Sequence, residues 1–470
     1  PASRLYYIDF SSAPLALGGS AFAQTLGRVG SDVPTVADAE AFRRAFAAVQ
    51  KLVSQELLLA GHDVSAGGLV TTLLEMCFAN TKGGLELSLD ALSPASDFAH
   101  TLFAENPAVV VQVADAHNEA FSAVLAEAGV AAVELGRPVE GRTLTLRRAD
   151  RQLALDIDAL REDWYGTSAE MDTFQSFHGC AEQRAHNYKL QPLNFRLPAS
   201  FDGSFATLGV SPDRRTPSGV RAAIIREKGT NGEREMAYML HLAGFDVKDV
   251  TMTDLVSGRE TLDEVNFIVF CGGFSNSDVL GSAKGWAGAF LFNPKAKAAL
   301  DRFYARPDTL SLGVCNGCQL MVELGLVNPE HTDRRARMLH NDSHKFESGF
   351  VGVDVAPNDT VLFSSLSGSR LGIWIAHGEG KFNLPRPAAD YNIVLSYAYD
   401  QYPANPNGSD YNAAGIASAD GRHVAMMPHL ERAFLSWQTP FYPADRRADD
   451  CTPWLEAFVN ARRWVESHRA

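Results

Sequence analysis

The feature that most constrains this chain is a glycine-flanked cysteine between an apolar run and a helical pattern. The segment Ser311-Leu-Gly-Val-Cys-Asn-Gly-Cys-Gln319 ends an apolar run of strand length and opens a helix predicted over 316–324. Gly-x-Cys-x-Gly at a strand–turn–helix junction is the cysteine form of the nucleophile elbow. Gly313 and Gly317 leave room for a sharp turn that lifts the Cys315 sulfur clear of the backbone. The pattern predicts an α/β fold with a reactive cysteine, and a buried cysteine in a plain glycine turn is the alternative.

The region around this elbow alternates strand and helix patterns. Apolar runs at 220–225, 265–271 and 310–314 have strand length, and 233–242 has helical spacing and stops at Gly244. Strands separated by helices indicate a mostly parallel sheet.

Three regions divide the 470 residues, which are enough for two to four domains. Residues 1–160 alternate helix and strand patterns, including a long helix predicted over 39–60. Residues 161–218 begin polar and then become rich in proline and glycine, which predicts a linker laid over a surface. Residues 219–470 form the elbow-containing domain.

Charge and cysteine content narrow the class of protein. The net charge of −14 argues against non-specific binding to nucleic acid or an anionic membrane, and no apolar run approaches the ~20 residues of a membrane span. Six cysteines in a chain of this length do not make a disulfide scaffold, and we expect a reducing cytoplasm. The chain begins at Pro1 with a strand pattern already under way at 5–10, so we expect a fragment or processed product.

A cysteine nucleophile needs a base, and Met427-Pro-His-Leu-Glu431 offers one after a strand-like run. Residues two apart in an extended segment share a side. Glu431 is therefore placed to hold one ring nitrogen of His429 while the other nitrogen faces Cys315. A surface histidine beside a chance acid is the alternative.

Backbone donors for an oxyanion are predicted at two places. Cys271-Gly-Gly-Phe-Ser275 follows a buried strand, and the N–H of Gly273 is a candidate donor. The helix that starts at Asn316 directs its N-terminus at the Cys315 sulfur, which favours the thiolate and adds N–H donors.

Three further motifs allow two interpretations each. Ala376-His-Gly-Glu-Gly380 contains a second base with an acid, although a strand-end turn is the preferred interpretation. Cys318 is spaced Cys-x-x-Cys with Cys315, but no second pair has metal-ligand spacing, so we interpret it as a packing residue. The turn at 61–68 opens a helix and can receive phosphate, with Asp63 as a magnesium ligand, or it is a plain tight turn.

Taken together, five blocks resemble the phosphoribosylformylglycinamidine synthases, the large single-chain formylglycinamide ribonucleotide amidotransferases of purine biosynthesis. They are Cys315-Asn-Gly-Cys-Gln319, Cys271-Gly-Gly-Phe-Ser275, Ala376-His-Gly-Glu-Gly380, Tyr402-Pro-Ala-Asn-Pro-Asn-Gly408 and Met427-Pro-His-Leu-Glu431. The resemblance covers essentially the whole chain as the family's C-terminal portion. It implies an α+β subdomain like that of aminoimidazole ribonucleotide synthetase, followed by a flavodoxin-like class I glutamine amidotransferase.

The resemblance also implies roles for individual residues. Cys315 would form a glutamyl thioester, His429 would act as base and then acid, and Glu431 would orient His429. The remaining implied site residues are Gly273 and Asn316 for the oxyanion, and Gln319, Asn341, Ser343 and Phe346 for substrate glutamine. The chain departs from the family pattern at Asn276-Ser277 after the glycine turn and at Leu430 after the histidine.

For the first region, the resemblance implies an auxiliary ATP or ADP with magnesium at Asp63, although Ala66 replaces the second acid of that motif. Formylglycinamide ribonucleotide and the catalytic ATP would bind subdomains that precede residue 1. Ammonia released from glutamine would pass internally to that synthetase site, and this chain alone would at most hydrolyse glutamine. The alternatives are the glutaminase of another amidotransferase, a cysteine hydrolase on the same fold, and a nucleotide-binding scaffold with an inert cysteine.

Overall fold

The computed structural model describes residues 2–92, 97–177, 179–190 and 193–468. The chain divides into two compact units, residues 1–168 and 169–470. No helix in the described ranges is long and apolar enough to cross a bilayer.

The first unit is built on a seven-stranded sheet with strand order β2-β4-β1-β5-β3-β6-β7. Every neighbouring pair is antiparallel except β3 and β6. The strands are β1 (Ser3–Asp9), β2 (Leu58–Val64), β3 (Gly84–Ser88), β4 (Ala108–Ala114), β5 (Val133–Val139), β6 (Thr143–Arg148) and β7 (Arg151–Asp156). The helices are α1 (Ala21–Thr25), α2 (Ala39–Ser54), α3 (Gly68–Phe78), α4 (Phe98–Phe103), α5 (Asn118–Ala128) and α6 (Ile157–Thr173), whose last residues belong to the second unit.

The helix predicted over 39–60 is shorter than expected. Asp38 caps the start of α2 by accepting hydrogen bonds from the N–H groups of Glu40 and Ala41, but α2 ends at Ser54. Glu56 then has a φ of 56°, which breaks the helix, and the following residues enter β2. The prediction was wrong because Leu57 and Leu58 continue the helical spacing of apolar residues. In the structure they pack on the core of this unit, and Leu58 is the first residue of β2.

The second unit contains a nine-stranded sheet with strand order β14-β13-β16-β17-β18-β11-β10-β8-β9 and a separate pair, β12-β15. The strands are β8 (Arg221–Arg226), β9 (Asp246–Thr251), β10 (Phe267–Phe270), β11 (Leu310–Val314), β12 (Arg337–Leu339), β13 (Glu347–Val355), β14 (Arg370–His377), β15 (Lys381–Asn383), β16 (Asn392–Tyr397), β17 (Ala413–Ala417) and β18 (His423–Met426). The helices are α7 (Cys180–His186), α8 (Phe205–Leu208), α9 (Glu233–Leu242), α10 (Met252–Ser257), α11 (Lys284–Phe292), α12 (Pro294–Ala305), α13 (Asn316–Glu323) and α14 (Trp454–His468).

The predicted α/β class is confirmed, and the large sheet has two halves. Strands β9, β8, β10, β11 and β18 run parallel, and β11 lies between β10 and β18. The remaining strands β17, β16, β13 and β14 join through antiparallel pairs. The predicted parallel pattern therefore describes the half that carries the elbow, where helices separate β8, β9, β10 and β11 along the chain.

Residues 169–218 contact the domain that follows them and are grouped with the second unit. Arg196 forms an isolated β-bridge with Arg370, next to the end of the sheet. Phe201 is buried in the core of this unit, and Phe195 contacts the rings of Phe441 and Tyr442. The part of this segment that was predicted to be polar contains the end of α6 and the whole of α7.

Candidate active site

Cys315 lies at the sharp turn between β11 and α13, with a φ of 53° and a ψ of −107°. Its N–H donates to the carbonyl of Met426 on the neighbouring strand, at 2.9 Å. A Cβ on Gly317 would lie 2.1 Å from the carbonyl oxygen of Phe270, and one on Gly313 would lie 2.5 Å from the carbonyl oxygen of Gly317. Both glycines are therefore required by the close approach of strand and helix.

His429 and Glu431 follow β18, the strand next to β11. The Nδ1 of His429 lies 2.7 Å from Oε1 of Glu431, and both side chains are 1% exposed. The N–H of His429 donates to the carbonyl of Trp374 at 2.8 Å, which fixes the backbone of the histidine against β14. The predicted two-residue spacing thus produces a buried histidine–carboxylate pair.

Gly272 shows how closely the histidine and the cysteine approach each other. A Cβ on Gly272 would lie 2.8 Å from Cε1 of His429 and 3.3 Å from Cβ of Cys315. The structure therefore brings His429 and Cys315 together at this glycine, and Glu431 joins them through its hydrogen bond with His429. The Cys315 sulfur is also 3.5 Å from the carbonyl oxygen of Ala376.

The charges in this cluster favour an imidazolium. Burial lowers the pKa of His429, but the Glu431 carboxylate and the Cys315 sulfur outweigh burial and raise it to about 9. Burial raises the pKa of the Glu431 carboxyl, but His429 outweighs burial, so the net pKa is lowered. At neutral pH the pair is therefore imidazolium and carboxylate, and the proton on His429 can stabilise a thiolate at Cys315.

The glycine loop after β10 has a backbone N–H, that of Gly273, for which the described residues provide no backbone acceptor. Thr230 and Gly273 form a bridge whose hydrogen bonds run from Asn231 N–H to Gly272 O and from Phe274 N–H to Gly229 O. This pattern leaves the N–H of Gly273 itself outside the bridge. The N–H of Asn316, the first residue of α13, has no acceptor within its own helix.

The side chains of Asn316 and Gln319 are engaged in holding the loops in place. Asn316 accepts a hydrogen bond from Ser275 N–H at 3.0 Å and donates to Oε1 of Gln319 at 2.9 Å. Gln319 in turn donates to the carbonyl of Glu379 at 2.8 Å. Both side chains are buried. Their hydrogen bonds connect the elbow helix to the glycine loop and to the turn after β14.

The residues predicted to contact substrate glutamine differ in their burial and in their hydrogen bonds. Asn341 is fully buried: it donates to the carbonyls of Lys345 and His377 and accepts from Gly380 N–H. Ser343 is buried, whereas Phe346 is 49% exposed and contacts the ring of Phe274, which follows the glycine loop. Of this group, Phe346 alone has a substantial exposed surface.

A cluster of charged side chains, which no sequence pattern indicated, contacts the loop at 343–347. Asp172, 11% exposed, pairs with Lys345 at 2.6 Å and with Arg184 at 3.1 Å. Arg184 also contacts the buried Glu347 and the hydroxyl of Tyr402. Phe177 N–H donates to the carbonyl of Ser343 at 3.0 Å. We call residues 172–177 and 179–187 the strap. The strap lies against the loop at 343–347, and no local motif indicates such a long-range contact.

Comparison with known proteins agrees with this geometry. The CobB/CobQ-like glutamine amidotransferase domain matches residues 219–465. The chain belongs to this family of amidotransferase domains. Ahead of the amidotransferase portion, the C-terminal domain of AIR synthase related proteins matches residues 10–148.

The relatives of this amidotransferase confirm the predicted resemblance. A probable phosphoribosylformylglycinamidine synthase of Arabidopsis thaliana, named as chloroplastic/mitochondrial, is 38% identical across 98% of this chain and 34% of its own length. The Homo sapiens phosphoribosylformylglycinamidine synthase is 40% identical across 98% of this chain and 36% of its own length. The chain thus spans about a third of the length of these relatives.

Two solved structures from Thermotoga maritima are similar to this chain over 53% and 34% of its length. The structure of PurLQS from Thermotoga maritima is 26% identical with a TM-score of 0.40, and the match covers 53% of this chain and 99% of that one. The T. maritima PurL complexed with ATP is 14% identical with a TM-score of 0.27, covering 34% of this chain and 25% of that one.

The second cysteine of the elbow motif, Cys318, lies in the packed interior. Cys318 is fully buried, and burial raises its pKa well above the ordinary value of a thiol. Within the described ranges no group of three histidine, cysteine or acidic side chains is arranged to hold a metal ion. These observations fit the interpretation of Cys318 as a packing residue.

The predicted magnesium ligand Asp63 lies in β2, and its side chain is 70% exposed. The glycine turn before α3 is filled from within the chain: Oε1 of Glu105 accepts hydrogen bonds from Gly67 N–H and Ala21 N–H, each at 2.8 Å. Because one exposed carboxylate is a weak site for a cation that prefers six oxygen ligands, these residues do not fit magnesium by themselves.

Proposed function

We propose that this chain hydrolyses glutamine through a thioester at Cys315 and supplies the ammonia to a formylglycinamide ribonucleotide amidotransferase. The observation that carries the proposal is the buried His429–Glu431 pair, 2.7 Å apart, against the elbow cysteine. A thiolate beside an imidazolium is a nucleophile that attacks a carboxamide carbon without a metal.

The steps follow from the placement of each group. The Cys315 sulfur attacks the side-chain carbonyl carbon of glutamine, and the developing oxyanion accepts hydrogen bonds from the N–H groups of Gly273 and Asn316. His429 gives its Nε2 proton to the departing nitrogen, which leaves as ammonia. Water then attacks the thioester with His429 as base, and glutamate leaves as the sulfur returns to thiolate. Glu431 keeps the imidazole oriented and balances its charge throughout.

The whole reaction that we propose uses parts that the relatives have beyond this chain's match. Formylglycinamide ribonucleotide, ATP and glutamine are converted to formylglycinamidine ribonucleotide, and ammonia travels inside the protein to the synthetase site. Support comes from the identity of 34–40% to phosphoribosylformylglycinamidine synthases across the chain. We divide the chain into a synthetase-like subdomain at 1–160, a linker at 161–218 and a glutaminase at 219–470, and we place the enzyme in the cytoplasm.

The turn before α3 in the first region is already in contact with an acidic side chain. The family's auxiliary ATP or ADP would face the turn before α3, where the Glu105 carboxylate already occupies the backbone N–H groups. An acidic group at that place opposes phosphate, so residues 1–160 are proposed to act mainly as a structural subdomain.

The test measures glutamate release from glutamine by the purified chain. Wild-type protein and Cys318→Ala should release glutamate, whereas Cys315→Ala should release none. The matched control removes the other cysteine of the same motif, which is buried in packing. Release that survives in Cys315→Ala would contradict the proposal. So would a wild-type protein that neither hydrolyses glutamine nor is labelled at Cys315 by a diazoketone analogue of glutamine.

A further inference from the structure

His377, the last residue of β14, carries a polar atom that the mechanism above does not use. Its side chain is 2% exposed, and its Nδ1 lies 3.1 Å from Oδ1 of Asn341. Its Nε2 is buried and has no hydrogen-bond partner among the described residues. A buried acceptor or donor without a partner costs free energy, so it points to a group that arrives with a ligand.

The contacts of Asn341 determine which nitrogen of His377 carries the proton. The amide nitrogen of Asn341 donates to two carbonyls, those of Lys345 at 3.0 Å and His377 at 2.8 Å. Its oxygen accepts from Gly380 N–H at 2.9 Å, so the amide cannot be flipped. The His377 Nδ1 facing that oxygen must therefore be a donor.

The ring is also neutral. Burial, together with the nearby His429, lowers the pKa of His377 to about 3. A neutral imidazole with its hydrogen on Nδ1 has a lone pair on Nε2. The unused atom is thus a hydrogen-bond acceptor and not a donor.

The end of β14 runs along the reacting groups. The carbonyl of Trp374 accepts from His429 N–H, and the carbonyl of Ala376 lies 3.5 Å from the Cys315 sulfur. Two residues after His377, the carbonyl of Glu379 accepts from Gln319 on the elbow helix. Ser275, on the glycine loop, has a buried hydroxyl that also lacks a partner in the described ranges.

The chemistry of the substrate supplies the missing donor. The carbonyl oxygen of a carboxamide is matched by the backbone N–H groups of Gly273 and Asn316, but its nitrogen brings two N–H donors that need acceptors. His429 cannot accept while its Nε2 carries a proton. We propose that His377 Nε2 accepts an N–H of the glutamine side-chain amide and so selects an amide over an ester or a carboxylate. This inference rests on the proposed glutaminase function.

The same lone pair disfavours the product. Glutamate presents a carboxylate oxygen, which has no hydrogen to donate, at the place where the amide nitrogen lay. Two acceptors then face each other at His377, and glutamate loses the hydrogen bond that glutamine makes there.

The test compares binding of two ligands to Cys315→Ala protein by calorimetry, since this variant cannot turn either over. Glutamine carries the amide N–H groups, and the γ-methyl ester of glutamate has a methoxy group in their place. One lost hydrogen bond corresponds to about a tenfold change in affinity, so glutamine should bind about tenfold more tightly than the ester.

Two substitutions at His377 then locate the acceptor. His377→Asn keeps an amide nitrogen near the Nδ1 position, facing Asn341, but has no atom at Nε2. It should weaken glutamine binding about tenfold and leave ester binding unchanged. His377→Gln places an amide oxygen near the Nε2 position and should recover part of the preference for glutamine.

The outcomes separate this inference from the proposed function. Equal binding of the two ligands to the parent protein would overturn the inference, and this comparison needs no variant at His377. Equal weakening of both ligands by His377→Asn would assign His377 a structural role and also overturn it. If the wild-type chain hydrolyses glutamine in either case, the glutaminase function stands; if glutamine does not bind at all, that function fails as well.

Discussion

Replacing Glu431 by Gln tests whether the carboxylate is what charges His429. The amide of Gln is nearly isosteric and keeps a hydrogen-bond acceptor for the Nδ1 hydrogen, but it carries no charge. Because burial alone lowers the pKa of a histidine, the pKa of His429 should fall to its ordinary 6.5 or below once the anion is gone. Cys315 then has a neutral imidazole beside it at neutral pH.

The size of the effect follows from the pKa of His429. A fall from about 9 to the ordinary 6.5 corresponds to about 3 kcal/mol, or about 300-fold in the ratio of imidazolium to imidazole. The rate at which iodoacetamide alkylates Cys315 at pH 7 should therefore drop by about two orders of magnitude in Glu431→Gln. In wild-type protein the imidazolium remains beside Cys315 at this pH.

The assay follows alkylation by peptide mapping as a function of pH. Glu456→Gln is the matched control, because Glu456 is also buried but lies on α14, away from the cysteine. An unchanged pH profile in a folded Glu431→Gln protein would show that the carboxylate does not charge His429 and would refute the reasoning.

The same pair makes stability depend on pH in a stated direction. Since the folded pKa of His429 is raised, its contribution to the free energy of unfolding is fully present below about pH 6.5. That contribution is lost as pH rises through about 9. Thermal melts of the wild-type protein should fall over this window, and those of Glu431→Gln should not.

Two further substitutions test the elbow and the strap. Gly317→Ala should lower stability by about 1–3 kcal/mol and slow alkylation of the catalytic cysteine, because its Cβ would overlap a backbone carbonyl. Gly166→Ala has open space around it and should leave stability unchanged or raise it by up to about 1 kcal/mol in thermal melts. Asp172→Asn should speed amide hydrogen exchange at 343–347 and raise KM for glutamine, because it removes the anion between Lys345 and Arg184. The exposed Asp163→Asn on the same helix should change neither, and equal exchange rates in both variants would contradict a positioning role for the strap.

The elbow and its base were predictable because their signals are local. The helix predicted from Asn316 begins at that residue, and β11 has the predicted bounds, since apolar length and two glycines fix a strand–turn–helix without help from distant parts. His429 and Glu431 are two residues apart, so their pairing follows from the extended backbone between them.

Long-range contacts account for what the sequence did not reveal. The strap depends on Asp172 and Lys345, which are 173 residues apart and carry no shared pattern. The antiparallel half of the large sheet depends on which strands pair with one another. An apolar run of strand length does not indicate its partner or whether the pairing is parallel or antiparallel. The contact of Asn341 with glutamine stays a prediction. The hydrogen bonds of its side-chain amide to Lys345, His377 and Gly380 depend on the folded backbone and have no pattern in the sequence.

The most direct test of the account is mass spectrometry of the chain mixed with glutamine and quenched in acid. The account predicts a glutamyl group attached to the peptide that contains Cys315, and no such adduct in Cys315→Ala protein. Glutamate formation without any acyl adduct at Cys315, or an adduct on another residue, would contradict a thioester at the elbow.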